Sequence, residues 1–326
     1  MLKKKKMTIG NLNCVFESKE NTIGFFDLWD KFTRNVFQEN KPHPPKREPK
    51  FLFYDVKIDN DLHNEPVIIG KIVKVTTLDI MQEFNAGKLC NVDNHYPSAP
   101  SSVFVLLIRN HLLLFLKEHR GAPSVANFRA YFTDRVRIER QKYIAQQSQE
   151  KKLTKKELAQ KYPPAIINYT GMLSNLKLTE FFTNVQSVRD LHIITNLQNS
   201  NYNIKSFFEG NQDVMNELKS PKIVSRFTKV KSTDGTARVL KNVSTNAAAG
   251  FRFDAVLEDG TVKRVTNENI TIEAQIPIVD EASTVDISTC MLKELKRLIE
   301  DKEITDTQST TLKELINSIS NDNLSE

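Results

Sequence analysis

The chain has 326 residues, 39% of them hydrophobic and 26% charged, with a formal net charge of +6. That length bounds it at one large domain or two, and the hydrophobic share excludes a wholly disordered chain. Its three cysteines, Cys14, Cys90 and Cys290, form no CxxC pair, which excludes a disulfide framework and points to a reducing cytoplasm.

The opening "MLKKKKMTIG" is basic, with no apolar run of signal-peptide length behind it, so residues 1–20 are expected to be a flexible basic N-terminus. Within residues 20–38, Phe25, Trp29, Phe32 and Val36 recur at helical spacing and predict an amphipathic helix. The proline-rich, basic "QENKPHPPKREPK" reads as a solvated loop. Strands are predicted at "FLFYDVKI" (Phe51–Ile58) and "VIIGKIVKVTT" (Val67–Thr77). "LDIMQEFNAG" then reads as a helix or short turn ending at Gly87, followed by "LCNVDNHYPSAPSS" as a polar loop.

The stretch "SSVFVLLIRNHLLLFLKEHRGAPS" raises the question of a membrane segment. Its apolar runs, Val103–Ile108 and Leu112–Leu116, are too short for the ~20 apolar residues a spanning helix needs. Arg109, Asn110 and His111 between them suit a tight turn, so residues 103–117 are expected to form a central β-hairpin and no transmembrane segment is expected. Both faces of the hairpin are apolar, so something must cover both.

Ser124 is a fitting N-cap for a helix with Val125, Phe128, Phe132 and Val136 on its inner stripe. Thr154 and Glu157 have capping-box spacing for a second helix, which Pro163 and Pro164 end. "AIINYTG" reads as a strand, "LKLTEFFTNVQSVRDLHIITNLQ" as a helix followed by a strand or second helix, and Asp213–Leu218 as a short helix. After Pro221 the pattern alternates, with Asp-Gly turn signals at Asp234–Gly235 and Asp259–Gly260 predicting two hairpins, and "NITIEAQIPI" adds a strand. Two helices are expected within residues 285–320. The fold class is therefore α+β: a mixed or antiparallel N-terminal sheet covered by helices in a 21–220 domain, a small antiparallel β unit over 222–278, and C-terminal helices.

Motifs for cofactor chemistry are missing: there is no GxxxxGK[ST], no GxGxxG, no GxSxG and no HExxH, so neither a cofactor nor a metal site is expected. Weak catalytic candidates lie at strand ends. Asp55, Asp59 and Glu118 could share a Mg2+ ion, with Lys117 holding a phosphate and His119 acting as general base, which defines a metal-dependent nuclease as one alternative. The simpler reading makes them turn residues and strand exits.

Basic residues carry the main expectation. Arg129, Arg135, Arg137, Arg140 and Lys142 lie off the apolar stripe of the first long helix, and Lys151, Lys152, Lys155 and Lys156 follow. The C-terminal unit adds Lys222, Arg226, Lys229, Lys231, Arg252, Lys263 and Arg264. Alternation places Phe251 and Phe253 on one strand face as core, with Arg252 opposite as surface. These cations are expected to meet phosphate oxygens of DNA or RNA. The chain thus reads as a non-catalytic nucleic-acid-binding or sensing protein. Its Lys, Asn and Ile usage suits an AT-rich bacterial genome and an accessory subunit of a multi-component system such as antiviral defence. A further alternative is a homo- or hetero-oligomeric scaffold, a homodimer or a complex with a protein partner, built on the Leu- and Lys/Glu-rich last helices.

Overall fold

The computed structural model describes residues 2–17, 22–38, 50–59, 67–108, 111–150, 153–196, 214–215, 217–218, 220, 222–244, 249–279 and 281–301. Its strands are β1 (Leu2–Glu17), β2 (Thr22–Gly24), β3 (Lys50–Asp59), β4 (Val67–Asn85), β5 (Lys88–Ser98), β6 (Ser101–Leu107) and β7 (Leu112–Lys117). They continue with β8 (Ala165–Gly171), β9 (Val185–Asn196), β10 (Lys222–Thr228), β11 (Ala249–Leu257), β12 (Val262–Thr266) and β13 (Glu273–Val279). The helices are α1 (Val125–Glu150), α2 (Lys155–Lys161), α3 (Asn175–Thr183), α4 (Thr233–Ser244) and α5 (Thr284–Glu300).

The apolar hairpin is β6–β7, paired from Leu107 opposite Leu112 to Ser102 opposite Lys117. It sits inside a large antiparallel sheet of order β13-β1-β7-β6-β4-β3, with β2 and β8 also on β1 and β5 on β4. Successive side chains point to opposite faces of a strand, and here each face is covered. Leu12, Cys14, Phe16, Phe104, Leu113 and Phe115 pack with Phe128, Phe132 and Val136 of α1. Met7, Ile9, Val103, Val105, Leu114 and Leu116 pack with Ile287, Met291 and Leu295 of α5 and with Ile276 of β13. The fold is α+β, as the alternation of strand and helix periods requires. No helix among the described residues is long and apolar enough to cross a membrane.

A second, four-stranded antiparallel sheet has the order β10-β9-β11-β12. One face packs on α3 and α4 through Leu191, Ile193, Phe251, Phe253, Leu178, Leu240 and Val243. The sequence boundary at 222 cuts through this unit, because β9 comes from upstream of it. β13, in turn, leaves the unit and pairs with β1, from Leu2 opposite Val279 to Thr8 opposite Glu273. Burial decides this: Ala274, Ile276 and Ile278 alternate inward and need the α5 side of the large sheet.

Several local expectations are corrected. The N-terminus described here is a strand, not a flexible tail, since from Met7 to Phe16 its side chains fill both cores in alternation. Its lysines are held as well: Lys5 donates to the Glu118 carbonyl and Lys6 pairs with Glu273 at 2.5 Å. The amphipathic stretch before residue 38 is two 3-10 turns, Phe26–Leu28 and Thr33–Phe37, which bury the predicted aromatics; Thr33 Oγ1 donates to the Phe25 carbonyl at 2.8 Å. The stretch from Leu78 is neither helix nor loop but the outer half of a long β4–β5 ribbon, with Asn85 opposite Lys88. Asp234–Gly235 opens α4 rather than a hairpin: Ser232 Oγ accepts from the Gly235 amide at 2.9 Å, and Thr236, Leu240 and Val243 are buried at helical spacing. Asp259–Gly260 does turn a hairpin, β11–β12, with Gly260 at φ 81°. The predicted turn residues Arg109 and Asn110 and the last helix within 302–320 lie outside the described residues.

Candidate anion-binding cleft

Among the described residues no helix covers the second face of the small sheet. Across that face runs a row in which Arg226 pairs with His192, His192 with Arg252, and Arg252 with Thr266. Where this face meets the first turn of α1 and the edge of the large sheet lies an open cleft of about 640 Å³. Ser124, Val125, Ala126 and Arg129 line it from the α1 side, Tyr169, Thr170 and Gly171 from β8, and Lys222, Gly250 and Arg252 from the small sheet.

Local sequence explains these placements. Ser124 caps α1, its Oγ accepting from the Asn127 amide at 3.2 Å while Asn127 Oδ1 accepts from the Ser124 amide at 2.9 Å. The helix start is thereby fixed at the cleft wall. Gly10 of β1 leaves room for the Tyr169 ring; a Cβ there would stand 2.3 Å from Tyr169 Oη. Asn267 Oδ1 accepts from the Phe251 amide at 2.6 Å, and its shielded Nδ2 has no acceptor among the described residues.

The charge balance of the cleft is one-sided. Its lining contains Arg129, Lys222 and Arg252 but no Asp or Glu. Among the described residues none of these three side chains forms an ion pair or hydrogen bond. Two acids lie on this face of the sheet: Asp254 is engaged by Arg264 at 2.8 and 3.2 Å and Asp190 by Arg226 at 3.1 Å. The Arg264 hydrogen bond holds the Asp254 carboxyl below the usual carboxylate range, and Arg252 and His192 add smaller pulls in the same direction.

The remaining predicted cations do not join this cleft. Arg135 is buried, bonded to Glu139 at 2.9 Å and to the Val36 carbonyl, so it is a core ion pair and not a phosphate contact. Helical periodicity alone had placed it off the apolar stripe. Arg140 is corrected similarly: it bonds the Tyr162 and Ala159 carbonyls and pins α2 against α1. Lys142 pairs with Glu139 at 2.8 Å and Arg137 with Asp134 at 3.1 Å. Lys263 stands over the Phe181 ring at 5.8 Å. Lys155, Lys156, Lys229 and Lys231 are exposed away from the cleft lining, while Lys151 and Lys152 lie outside the described residues.

The catalytic candidates lie at strand ends and irregularities, and Glu118 is engaged within the fold. Glu118 binds Lys71 at 2.8 Å and accepts from Ser101 Oγ at 2.5 Å, which ties the β7 end to β4 and β6. Lys117 and His119 are exposed beside it. Asp55 sits at φ 49° in a β3 irregularity, and Asp59 ends β3 opposite Val67. Among the described residues no group of three His, Cys, Asp or Glu is arranged to hold a metal.

Sequence reasoning found Arg129, Lys222 and Arg252 but missed the convergence of the α1 start with β8. The signals were present separately, in the Ser124 cap and in the small residues Gly171 and Gly250, but nothing in the sequence pairs them. No family model matches this chain, and no curated protein sequence matches it.

Proposed function

We propose that this protein binds nucleic acid through its phosphate backbone, in the cleft between the α1 start and the open face of the small sheet. The observation that carries the reading is the lining: three unpaired cations from three separate elements and no carboxylate. Phosphate contacts come from such side chains, from hydroxyls and from helix N-termini. Thr170 supplies a hydroxyl, and the α1 start adds the positive end of a 26-residue helix. Cations spread over several elements suit successive phosphates of a chain better than one small anion.

The lining also favours binding over chemistry. It offers no carboxylate to hold a divalent ion and Tyr169 as its main half-exposed aromatic, so the contact is to backbone and tolerant of sequence. The wider role, as the nucleic-acid-binding subunit of a bacterial multi-component system such as antiviral defence, is supported by composition alone.

Fluorescence anisotropy with labelled single-stranded and duplex oligonucleotides at low salt tests the proposal. Arg252→Glu is expected to weaken binding by about 10-fold or more, the scale of one charge-assisted contact. Lys155→Glu, outside the cleft, is expected to change it little. Absence of binding by the unaltered protein at low salt, or equal losses for the two variants, would overturn it.

A further inference from the structure

Beyond residue 75 the β4–β5 ribbon carries apolar side chains that the fold does not cover. Phe84 is 76% exposed, Leu89 64%, Leu78 55% and Tyr96 50%. Met81, 59% exposed, lies on the reverse face, but these four are not scattered. Leu78 pairs with Tyr96, Ile80 with Asn94, Gln82 with Asn91 and Phe84 with Leu89. Because side chains alternate, these even-numbered β4 residues and their partners share one face. Asp79, Glu83 and Cys90 take the other, where His95 binds Asp79 at 2.7 Å and Asp93 at 3.1 Å. The register shift between Ile80 and Gln82 falls on the β5 side and leaves the β4 alternation intact.

Two-stranded ribbons are marginal in water on their own, and a contiguous exposed apolar face marks an interaction site. We infer that this ribbon is a dimerisation arm whose apolar face packs against the same face of a second copy of this chain.

Charge and area both suit a second copy. A two-fold axis brings the same patch of both copies together, so an uncharged patch meets itself without repulsion. The alternation puts Leu78, Ile80, Gln82, Phe84, Leu89, Asn91, Asn94 and Tyr96 on this face, with no charged residue among them. The ribbon's acids lie on the reverse. Gln82 Nε2 already donates to Asn91 Oδ1 at 3.1 Å and Asn94 Nδ2 reaches the Glu83 carboxylate at 3.4 Å, so these amides have partners before contact. An 11-residue strand spans roughly 36 Å, and two strands are about 10 Å wide. Face-to-face packing of two such ribbons covers a footprint of about 360 Å² per copy, and with side-chain relief about 1,000 Å² in total, the lower bound for a specific interface. The result is a four-stranded sandwich that covers both apolar faces.

Sedimentation velocity of the full chain, in high salt after nuclease treatment, separates this inference from the nucleic-acid reading. The unaltered protein is expected to show a concentration-dependent two-chain mass, with the Phe84→Asp, Leu89→Lys pair of substitutions shifting it to one chain at the same concentrations. Both altered side chains lie outside the two cores of the large sheet, so the circular dichroism melt of the single-chain species should persist. As a second readout on the unaltered protein, amide exchange over residues 76–98 should slow as concentration rises. A single-chain mass at every concentration would overturn the inference and leave this face to a different protein. A two-chain mass that survives both substitutions, with no added protection of the arm, would place the interface elsewhere and also overturn it.

Discussion

At residue scale, the ionisable groups separate into those the fold has used and those it has left open. His111 belongs to the first kind. Burial in the hairpin turn pushes its imidazole down to about 4, against a smaller upward pull from Asp27. A histidine whose folded pKa is lowered binds protons more readily when unfolded, so its neutral form favours the fold. The stability it leaves intact is fully present above its ordinary pKa of about 6.5 and is lost as pH falls toward 4, by about 3 kcal/mol. Urea unfolding at pH 7.5 and pH 4.5 should show this loss, and His111→Gln should flatten that pH dependence. Arg135 is of the same kind. Arg135→Ala should destabilise the fold by about 3 kcal/mol, because Glu139 is left buried with only the surface lysine Lys142 beside it. Thermal melts measure that, while oligonucleotide affinity of the folded fraction should stay unchanged. In the sequence Arg135 and Arg129 look alike, six residues apart on one helix. What separates them is the 3-10 segment ending at Phe37, whose Val36 carbonyl reaches Arg135 and which no local pattern in α1 announces.

Among elements, legibility followed burial on both sides. The β6–β7 hairpin could be read because both of its faces are apolar and both are covered, so composition and environment agree. Phe104 sits between Phe53 at 5.4 Å and Phe128 at 5.0 Å. Phe104→Ala should therefore cost about 4 kcal/mol, as large-to-small changes in tight aromatic cores do, measured by denaturant midpoint at constant slope. β5 was illegible for the opposite reason: with neither face buried in the chain's own core, its polar residues read as loop. α4 was misread because an Asp-Gly pair is a strong hairpin signal, and only the tertiary burial of Thr236, Leu240 and Val243 shows that the longer period prevails. Strand β1 hid behind its lysines. Alternation begins at Met7, after a basic run that looks like a tail until β13, from the far end of the chain, pairs with it.

Taken as a whole, the molecule places two sheets so that the edge of one and the open face of the other bound a common groove. The large sheet contributes β8 and the α1 start, fixed by two cores; the small sheet contributes Lys222 and Arg252, fixed by α3 and α4 behind it. The backbone that carries these cations is fixed by packed cores, and the cations have no partners to release. The excess of basic residues in the sequence pointed to a positive groove but not to its location, because several of those residues are spent on carboxylates or carbonyls within the fold and others are exposed elsewhere. The salt dependence of oligonucleotide binding measures the number of phosphates the groove neutralises. Each neutralised phosphate contributes roughly 0.7 to 0.9 to the slope of log affinity against log salt. Neutralising Arg129, Lys222 and Arg252 together to glutamine should reduce the magnitude of that slope by about 2 to 3, with Lys155→Gln, Lys156→Gln as the matched control leaving it within about 0.5. A triple variant with the slope of the unaltered protein would contradict the placement of nucleic acid in this cleft.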